Sequence, residues 1–473
     1  MTKPKKLGIF TLIMLMIGAV DSIRNLPATA LFGTSLIFFF ILAAMIFLVP
    51  AALVSAQLSA RAGDESGIFH WTRAVLGEQY AFIAVWLQWI SNLVWFPTIL
   101  SFIAGSAAWL ISPDLAQNRI WLISIILGIF WFLTLLNLRG IRVSAQFASF
   151  CAVTGLIIPI ILILICTMVW MILGNPSYVH FTWQNMMPNL NDPQNWISLT
   201  AIMTAFLGIE LAAVHAKDIK HPQRSFPIAL FFSVALILVT MISGALAIAI
   251  IEPRDKISLV NGVLQTFNHF FITWHLTWAM PLITIMIILG TSGGIVSWVI
   301  SPIRGLLHAG RSGFLPEFLL QKNRNNVAST LLIGQAILVT LFCTAFLWMP
   351  SVNGSYWLLT ALSTQMYILM YVILFIAGIF SYDRLKNPEA TFSIPGKRVG
   401  LTVVCLIGLF GCLITEVVGF LPPATINVGS TLRYEVIFTS AMALIILPAI
   451  LLCFYRNRKL KQLNLMEEYN VSG

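Results

Sequence analysis

The sequence predicts an all-α membrane protein with twelve transmembrane helices. Of its 473 residues, 59% are hydrophobic and only 9% are charged, whereas a soluble domain carries about 25% charged residues because its surface faces water. The apolar runs are long and unbroken, as in 34–58, 145–173, 226–251 and 434–455. A spanning helix needs about 20 apolar residues and a barrel strand about 10 of alternating polarity, so these runs indicate helices.

Twelve predicted spans account for these runs, and the connections between them are short. The connections leave no room for a soluble catalytic domain, and no Walker or HExxH motif occurs. We therefore expect a transporter that needs no cofactor, and not an enzyme. The predicted spans are 7–31, 34–58, 81–111, 119–138, 145–174, 196–218, 226–251, 274–302, 329–349, 356–380, 399–420 and 434–455.

The basic residues predict the orientation in the membrane. With the N-terminus inside, the inner segments hold 22 of the 27 Lys and Arg residues, and the outer segments hold four. This asymmetry follows the positive-inside rule and predicts a multi-pass protein of the inner (plasma) membrane with both termini cytoplasmic. The net charge of +10 is then explained by topology and by contact with anionic lipid. No basic stripe on a soluble domain indicates nucleic-acid binding.

The six cysteines do not indicate a metal site. All of them lie in apolar runs, and none has CxxC or Cys/His spacing. We interpret them as small core residues and predict no bound metal.

The middle of span 1 combines charge with helix-breaking residues, in the segment 17–27 (IGAVDSIRNLP). Asp21 and Ser22 are capping types, and Pro27 cannot continue an existing helix. We predict two half-helices joined by an unwound stretch. The alternative is a Pro-kinked helix, and an ion pair between Asp21 and Arg24 at i, i+3 is compatible with either form.

Span 6 carries a second unusual stretch, FLGIE at 206–210. Glu210 interrupts an apolar helix two residues after Gly208, and an ionisable residue at the bilayer centre costs about 2.5–3.5 kcal/mol. We interpret Glu210 as a proton-linked carboxyl on a transport path. The alternative is a protonated structural carboxyl that hydrogen-bonds a neighbouring helix.

The two stretches lie in spans 1 and 6, which correspond in a five-plus-five arrangement. Broken helices at equivalent positions of two halves indicate the site of a secondary transporter. Half-helix ends offer N–H groups to an anion and carbonyls to a cation. An amino acid zwitterion needs this combination.

Several stretches resemble one known family. Segments 208–210 (GIE) and 215–227 (HAKDIKHPQRSFP) resemble its span-6 motif and Pro-x-Arg connector, and segment 65–71 (ESGIFHW) resembles its acidic, glycine-rich loop after span 2. The chain resembles the amino acid–polyamine–organocation superfamily over essentially its whole length, and within it the bacterial glutamate/γ-aminobutyrate antiporter-like group. Stretches that resemble this subgroup more narrowly are 259–267, 297–305, 391–396 and 420–423.

The resemblance implies two inverted five-helix repeats plus two C-terminal helices that work by alternating access. On this chain the repeats are 1–174 and 196–380, the two added helices occupy 399–455, and a short cytoplasmic tail covers 456–473. The substrate would lie against the unwound parts of spans 1 and 6. The predicted substrate-binding residues are Ile17, Gly18, Ala19, Asp21, Ser22, Arg24, Thr204, Phe206, Gly208, Glu210 and Trp298.

Individual roles are open for some of these residues. Arg24 pairs either with a substrate carboxylate or with Asp21, and Asp21 is a candidate for the substrate ammonium. Phe206 is a candidate aromatic lid over the substrate. Trp95 and Tyr367 are further candidates for the cavity wall.

The sequence departs from the family pattern in three places. The glycine-rich turn of span 1 is replaced by GAVDSIR at 18–24, which puts a carboxylate site made of backbone amides alone in doubt. Thr204 stands where arginine exchangers carry Trp. Only a short segment follows the last span, so we expect no C-terminal plug.

The expected function is exchange of amino acids or related amines. The alternative is a proton- or sodium-coupled symporter of the same fold. The sequence names neither the substrate nor the oligomeric state, and a homodimer is one option.

Overall fold

The structure, a computed structural model, describes residues 8–62, 67–139, 150–151, 153–213, 215, 221–385 and 391–472. Within these residues the chain forms helices, turns and short loops, and no strand. Eleven helices of the described part are long and apolar enough to span a membrane. The other predicted span, 274–302, overlaps the helix Met280–Ala309, and Thr277–Ser292 is a shorter apolar helical stretch in the described part of this region. The all-helical prediction is confirmed, and each of the twelve predicted spans overlaps a described helix.

The first five spans are built from eight α-helices. In chain order these are α1 (Ile9–Val20) and α2 (Leu26–Ala30) in span 1, α3 (Leu36–Ala43) and α4 (Val49–Arg61) in span 2, the connecting α5 (Ile68–Leu76), α6 (Glu78–Ala108) in span 3, α7 (Arg119–Leu138) in span 4 and α8 (Ile158–Ile172) in span 5. Residues 145–149 and 152 of predicted span 5, and residues 65–66 of the resembling loop, lie outside the described residues.

The remaining spans follow after a loop that carries two short helices, α9 (Trp183–Met186) and α10 (Pro193–Trp196). Residues 216–220, which include the end of predicted span 6, lie outside the described part. The further helices are α11 (Ser198–Phe206) and α12 (Ile209–Ala213) in span 6, α13 (Pro222–Ile251) in span 7, the connecting α14 (Gly262–Thr273), α15 (Met280–Ala309) in span 8, α16 (Ser329–Cys343) and α17 (Ala345–Trp348) in span 9, α18 (Val352–Arg384) in span 10, α19 (Lys397–Val418) in span 11 and α20 (Thr431–Ser472) in span 12.

One spanning helix begins earlier than its apolar run at a residue that is capped by a polar side chain. At the start of α18, the Ser351 hydroxyl accepts a hydrogen bond of 2.9 Å from the Gly354 N–H, which satisfies one of the free donors of the first turn. The helix therefore begins at Val352, before the predicted start of span 10 at 356. Hydropathy locates the apolar run, whereas caps locate the helix ends.

Spans 3, 6 and 10 form the interior of the molecule. In their most apolar stretches 83%, 83% and 72% of the residues are buried, against 22% in span 12. Span 10 packs along span 3, and span 3 also packs along span 8. Polar side chains on these helices are therefore shielded from lipid and face other helices.

Span 1 is broken at residues 21–22. Asp21 (φ −72°, ψ 127°) and Ser22 (φ −152°, ψ 123°) have extended backbone after the end of α1. A 3₁₀ turn, Ile23–Asn25, then leads into α2, which has Pro27 in its first turn. The unwound stretch predicted from the sequence is confirmed, and the kinked continuous helix is not what forms.

Span 6 is broken at residues 207–208. The helix α11 ends at Phe206, Leu207 is extended (φ −64°, ψ 143°) and Gly208 has a positive φ of +97°. Residues with a Cβ rarely adopt this conformation, so the glycine permits the break. The end of α1 lies close to the break in span 6. A Cβ built on Gly208 would lie only 3.3 Å from the Ala19 carbonyl oxygen.

Two facing glycines bring spans 5 and 8 into close contact. A Cβ built on Gly290 would lie 2.1 Å from the Cα of Gly155, and the reverse substitution gives the same distance. Small residues allow membrane helices to approach closely enough for van der Waals contact between backbones. This contact fixes the wall opposite span 1.

Candidate functional site

A cavity of about 240 Å³ lies where the two broken spans meet. Pockets for drug-sized ligands have about 300–1,000 Å³, so this cavity fits a smaller molecule. Its wall comes from spans 1, 3, 5, 6, 8 and 10. The lining residues are 18–25, Ser91, Asn92, Trp95, Ile99, Gly155, Leu156, Thr204, Leu207, Gly208, Gly290, Thr291, Ile295, Trp298, Ser363 and Tyr367.

Most of the residues predicted to bind substrate lie in this wall. They are Gly18, Ala19, Asp21, Ser22, Arg24, Thr204, Gly208 and Trp298. Three predicted residues, Ile17, Phe206 and Glu210, lie outside the lining. Ile17 supports the unwound stretch through its backbone, since its carbonyl accepts a hydrogen bond of 2.7 Å from the Asp21 N–H.

Phe206 faces away from the cavity. Its ring is fully buried and packs edge-to-face on Phe40 of span 2, with 5.8 Å between ring centroids. Its position just before the break places its backbone near the site, whereas the side chain fills the core behind it. A role as a lid over substrate has no contact to support it in this conformation and stays a prediction.

Two tryptophans form an aromatic part of the wall. The rings of Trp95 on span 3 and Trp298 on span 8 lie 5.9 Å apart between centroids, tilted by 51°. Both line the cavity. The site therefore has an apolar face as well as polar groups, which is typical of small-molecule pockets.

Asp21 lines this cavity, and one of its carboxylate oxygens has no hydrogen-bond partner in the described part of the chain. Its Oδ2 accepts a hydrogen bond of 2.8 Å from the Thr240 hydroxyl on span 7. Its Oδ1 is buried and has no hydrogen-bond partner among the described residues. The residue is 8% exposed, so the charge of an ionised carboxylate would be only partly compensated.

Arg24 is held by residues of span 3. Its Nη1 donates to the Thr98 hydroxyl at 3.2 Å, and its guanidinium carbon lies 4.9 Å from the centre of the Trp95 ring. The Tyr356 hydroxyl also interacts with it. The residue is 4% exposed, and its Nε has no partner within the described structure.

Asp21 and Arg24 do not form the ion pair that the sequence left open. Among the described residues the ion pairs include none between these two side chains. The extended backbone at 21–22 lies between the end of α1 and the turn that carries Arg24. Each charge is instead held by a different neighbouring helix.

Glu210 lies behind the wall in a closed hydrogen-bond network. Its Oε1 accepts from the Tyr367 hydroxyl at 2.6 Å and from Gln88 Nε2 at 3.1 Å, and its Oε2 accepts from the Tyr371 hydroxyl. Gln88 also donates to Tyr367 at 3.2 Å, and the Gly208 N–H donates to Tyr371 at 3.2 Å. Glu210 is thus connected to the cavity through Tyr367, which lines it.

The sequence did not identify two members of this network, Gln88 and Tyr371. Both residues have a feature in the sequence that could have identified them. Gln88 is an isolated amide in the apolar run of span 3, and Tyr371 follows Tyr367 by four residues, which places both on one helix face. Their convergence on Glu210 depends on the packing of three spans distant in sequence.

Thr204 and Thr364 link spans 6 and 10 beside the cavity. Their hydroxyl oxygens are 2.5 Å apart, and Thr204 also donates to the Thr200 carbonyl at 2.7 Å.

No group of three or more His, Cys, Asp or Glu side chains in the described residues is arranged to bind a metal.

Comparisons with known proteins agree with this architecture. A family model described as amino acid permease matches residues 7–442. An uncharacterized transporter of Legionella pneumophila is 36% identical over 445 residues, covering 93% of this chain and 95% of the relative. The glutamate/gamma-aminobutyrate antiporter of Lactococcus lactis subsp. lactis is 30% identical, covering 94% and 90%. A probable agmatine/putrescine antiporter of the same organism is 21% identical, covering 88% of each.

The family match covers nearly all of the chain, and the relatives named here align over most of their own length. All of them are described as transporters or antiporters and none as an enzyme. The resemblance to the amino acid–polyamine–organocation superfamily is therefore confirmed. The chain belongs to the amino acid permease family and is a multi-pass membrane transporter, not an enzyme.

Proposed function

We propose that this protein exchanges amino acids or related amines across the bacterial inner membrane by alternating access. The observation that carries the proposal is a small, partly polar cavity located where spans 1 and 6 are both unwound. Relatives named as antiporters of glutamate and γ-aminobutyrate, and of agmatine and putrescine, support exchange over other transport modes.

The two broken spans give the cavity its binding chemistry. The α1 helix ends beside the cavity, so carbonyl oxygens near Gly18 and Ala19 are available to an ammonium group. The hydroxyl of Ser22 and the backbone around Gly208 offer further polar partners. Unwound backbone inside a membrane is stable only where it is buried in protein or lines a cavity, which is the arrangement here.

Alternating access requires two parts that move against each other. We assign these parts to the repeats 1–174 and 196–380, each of which has a broken helix as its first span. The breaks at 21–22 and 207–208 serve as the hinges, because the regular helical backbone is interrupted there and resists a change of backbone angle less than a continuous helix does.

Glu210 is the proposed proton-linked group. An ionised carboxylate accepts hydrogen bonds from Tyr367, Tyr371 and Gln88, whereas a protonated carboxyl has to donate one. Protonation therefore forces the network to rearrange, and Tyr367 carries that change to the cavity wall. Occupancy of the cavity and protonation of Glu210 are coupled by this route.

The orientation proposed for the transporter has both termini in the cytoplasm. The 22 basic residues on the inner segments against four on the outer ones support it. In this orientation α14 and the loop with α9 and α10 lie on the outer side. Lipid surrounds the apolar outer faces, and a homodimer stays a prediction.

Counterflow uptake in proteoliposomes tests the proposal. Vesicles that contain the purified protein are loaded with an unlabelled amino acid mixture. Labelled amino acids are then added outside the vesicles at acidic and at neutral pH. We expect uptake that depends on internal amino acid. Equal uptake into empty and loaded vesicles, driven instead by a sodium or proton gradient, would establish the symporter alternative.

A further inference from the structure

The cavity wall contains two side chains of opposite charge, and each has one buried polar atom without a partner in the described structure. These atoms are Asp21 Oδ1 and Arg24 Nε. Both residues are more than nine-tenths buried. Among the cavity-lining residues, these two are the ones with a charged side chain.

The two charges are anchored by different helices. The Thr240 hydroxyl on span 7 donates to Asp21, and Arg24 donates to the Thr98 hydroxyl on span 3. The ring of Trp95 covers a face of the guanidinium, and Nε on its edge is buried without an acceptor in the described structure. Carboxylates bind to guanidinium groups along such an edge.

Buried charges without partners are unfavourable, because they have lost their hydration. A ligand restores favourable interactions only if it offers a carboxylate to Arg24 and an ammonium to Asp21. A ligand with one kind of charge satisfies one residue and leaves the other as before. The sum of the two formal charges is zero, and the lining offers no partner for a third charge.

We propose that Asp21 and Arg24 are separate anchors for the two ends of the substrate, and that the cavity selects net-neutral zwitterions. This inference rests on the proposed function. It extends that function by excluding diamines without a carboxylate and dicarboxylates without an amine, and by disfavouring amino acids with a charged side chain. The span 1 side chains, and not backbone amides alone, then recognise the substrate.

Three compounds of equal chain length test the charge requirement. In counterflow, 4-aminobutyrate carries both charges, putrescine carries two ammonium groups and succinate carries two carboxylates. We expect 4-aminobutyrate to inhibit uptake of a labelled neutral amino acid at concentrations about tenfold or more below those needed for the other two compounds. Inhibition by putrescine or succinate at the same concentrations as 4-aminobutyrate overturns the inference.

Two variants test which residue binds which charged end of the substrate. Arg24→Gln removes the carboxylate anchor. In this variant 4-aminobutyrate should inhibit uptake less strongly than in wild type, and the potency of putrescine should rise relative to that of 4-aminobutyrate. Asp21→Asn removes the ammonium anchor, so the inhibitory potency of succinate should rise relative to that of 4-aminobutyrate. An unchanged order of potency in both folded variants contradicts the assignment.

A binding measurement separates this inference from the proposed function. Each compound is added to purified wild-type protein in detergent, and the thermal unfolding midpoint is recorded, because a bound ligand stabilises the folded state. Stabilisation by 4-aminobutyrate alone supports the inference even if no exchange is found. Exchange of diamines, with stabilisation by putrescine, leaves the transporter proposal standing and rejects the two-anchor site.

Discussion

The hydroxyl of Tyr367 on span 10 donates a hydrogen bond of 2.6 Å to the Oε1 atom of Glu210 on span 6. Tyr367 lines the cavity, and Glu210 lies behind it. A residue of the cavity wall and the residue proposed to bind a proton are therefore joined directly. The functional predictions below depend on this connection and on the two breaks beside it.

Replacing Tyr367 with Phe should slow exchange. The variant loses a hydrogen bond to a charged group, which is worth about 1.5–3 kcal/mol, so we expect exchange rates to fall by about tenfold or more. Initial counterflow rates measure the effect. Tyr80→Phe, on an exposed side chain at the start of α6, is the matched control and should exchange like wild type. Equal rates in the two variants would exclude a role for the Tyr367 hydroxyl.

Glu210→Gln should make exchange less sensitive to pH. The amide has nearly the shape of the carboxyl but cannot gain or lose a proton, so the network around Tyr367 and Tyr371 no longer changes with pH. Exchange rates across acidic to neutral pH, in wild type and variant, provide the comparison. A pH profile in the folded variant that matches wild type would place the proton-linked group elsewhere.

Gly208→Ala should impair transport. At φ +97° a Cβ introduces backbone strain, which costs about 1–3 kcal/mol and favours a different geometry at the break. We expect a lower thermal midpoint and a strong loss of exchange. Gly128→Ala on α7, where the added Cβ meets no atom within 4 Å, is the control. Wild-type exchange by Gly208→Ala would show that the positive φ is not required.

Gly290→Ala should destabilise the protein by overpacking. The added Cβ would lie 2.1 Å from the Gly155 Cα, and forcing helices apart costs about 1–3 kcal/mol. Thermal unfolding in detergent should show a lower midpoint than wild type. The control Gly334→Ala on α16 meets open space and should be neutral or stabilising by up to about 1 kcal/mol, because Ala favours helix over Gly. Equal midpoints for the two variants would contradict the close approach of spans 5 and 8.

His269→Ala should destabilise the C-terminal end of span 7 in a pH-dependent way. Burial raises the pKa of the Glu252 carboxyl, and the hydrogen bond with His269 Nδ1 (2.7 Å) opposes this effect. Without His269 the pKa rises further. A carboxyl with a raised pKa in the folded state loses stability as pH rises through that pKa. The variant should therefore lose more stability at neutral pH than at acidic pH.

Thermal midpoints measured across this pH range test the His269 prediction. His180→Ala, on an exposed outer-loop residue, is the control. In the double variant His269→Ala/Glu252→Gln the added pH dependence should disappear, because no carboxyl titrates there. If the thermal midpoints of wild type and His269→Ala differ by the same amount at every pH, the explanation is contradicted.

The sequence predicted the spans and the two breaks because those features are local. Lipid requires long apolar helices, and residues such as Pro27 and Gly208 favour a break wherever they are placed. The described helices agree with the predicted spans to within a few residues at most ends. Caps such as Ser351 account for one of the differences.

The side-chain partners in the site were harder to predict because they depend on packing between distant spans. The contact of Gln88 and Tyr371 with Glu210 joins spans 3, 6 and 10. The direction of Phe206 depends on space beside Phe40. The Asp21–Arg24 pair was compatible with the spacing, but each of the two side chains is held by a different neighbouring helix.

A dual-label experiment tests the central claim of exchange most directly. Proteoliposomes are loaded with an amino acid carrying one isotope and placed in the same amino acid carrying another, so that influx and efflux are recorded together. Exchange by alternating access predicts equal rates in both directions and little efflux when external substrate is removed. Efflux that continues at the same rate into substrate-free buffer would contradict obligatory exchange and identify a uniporter or symporter.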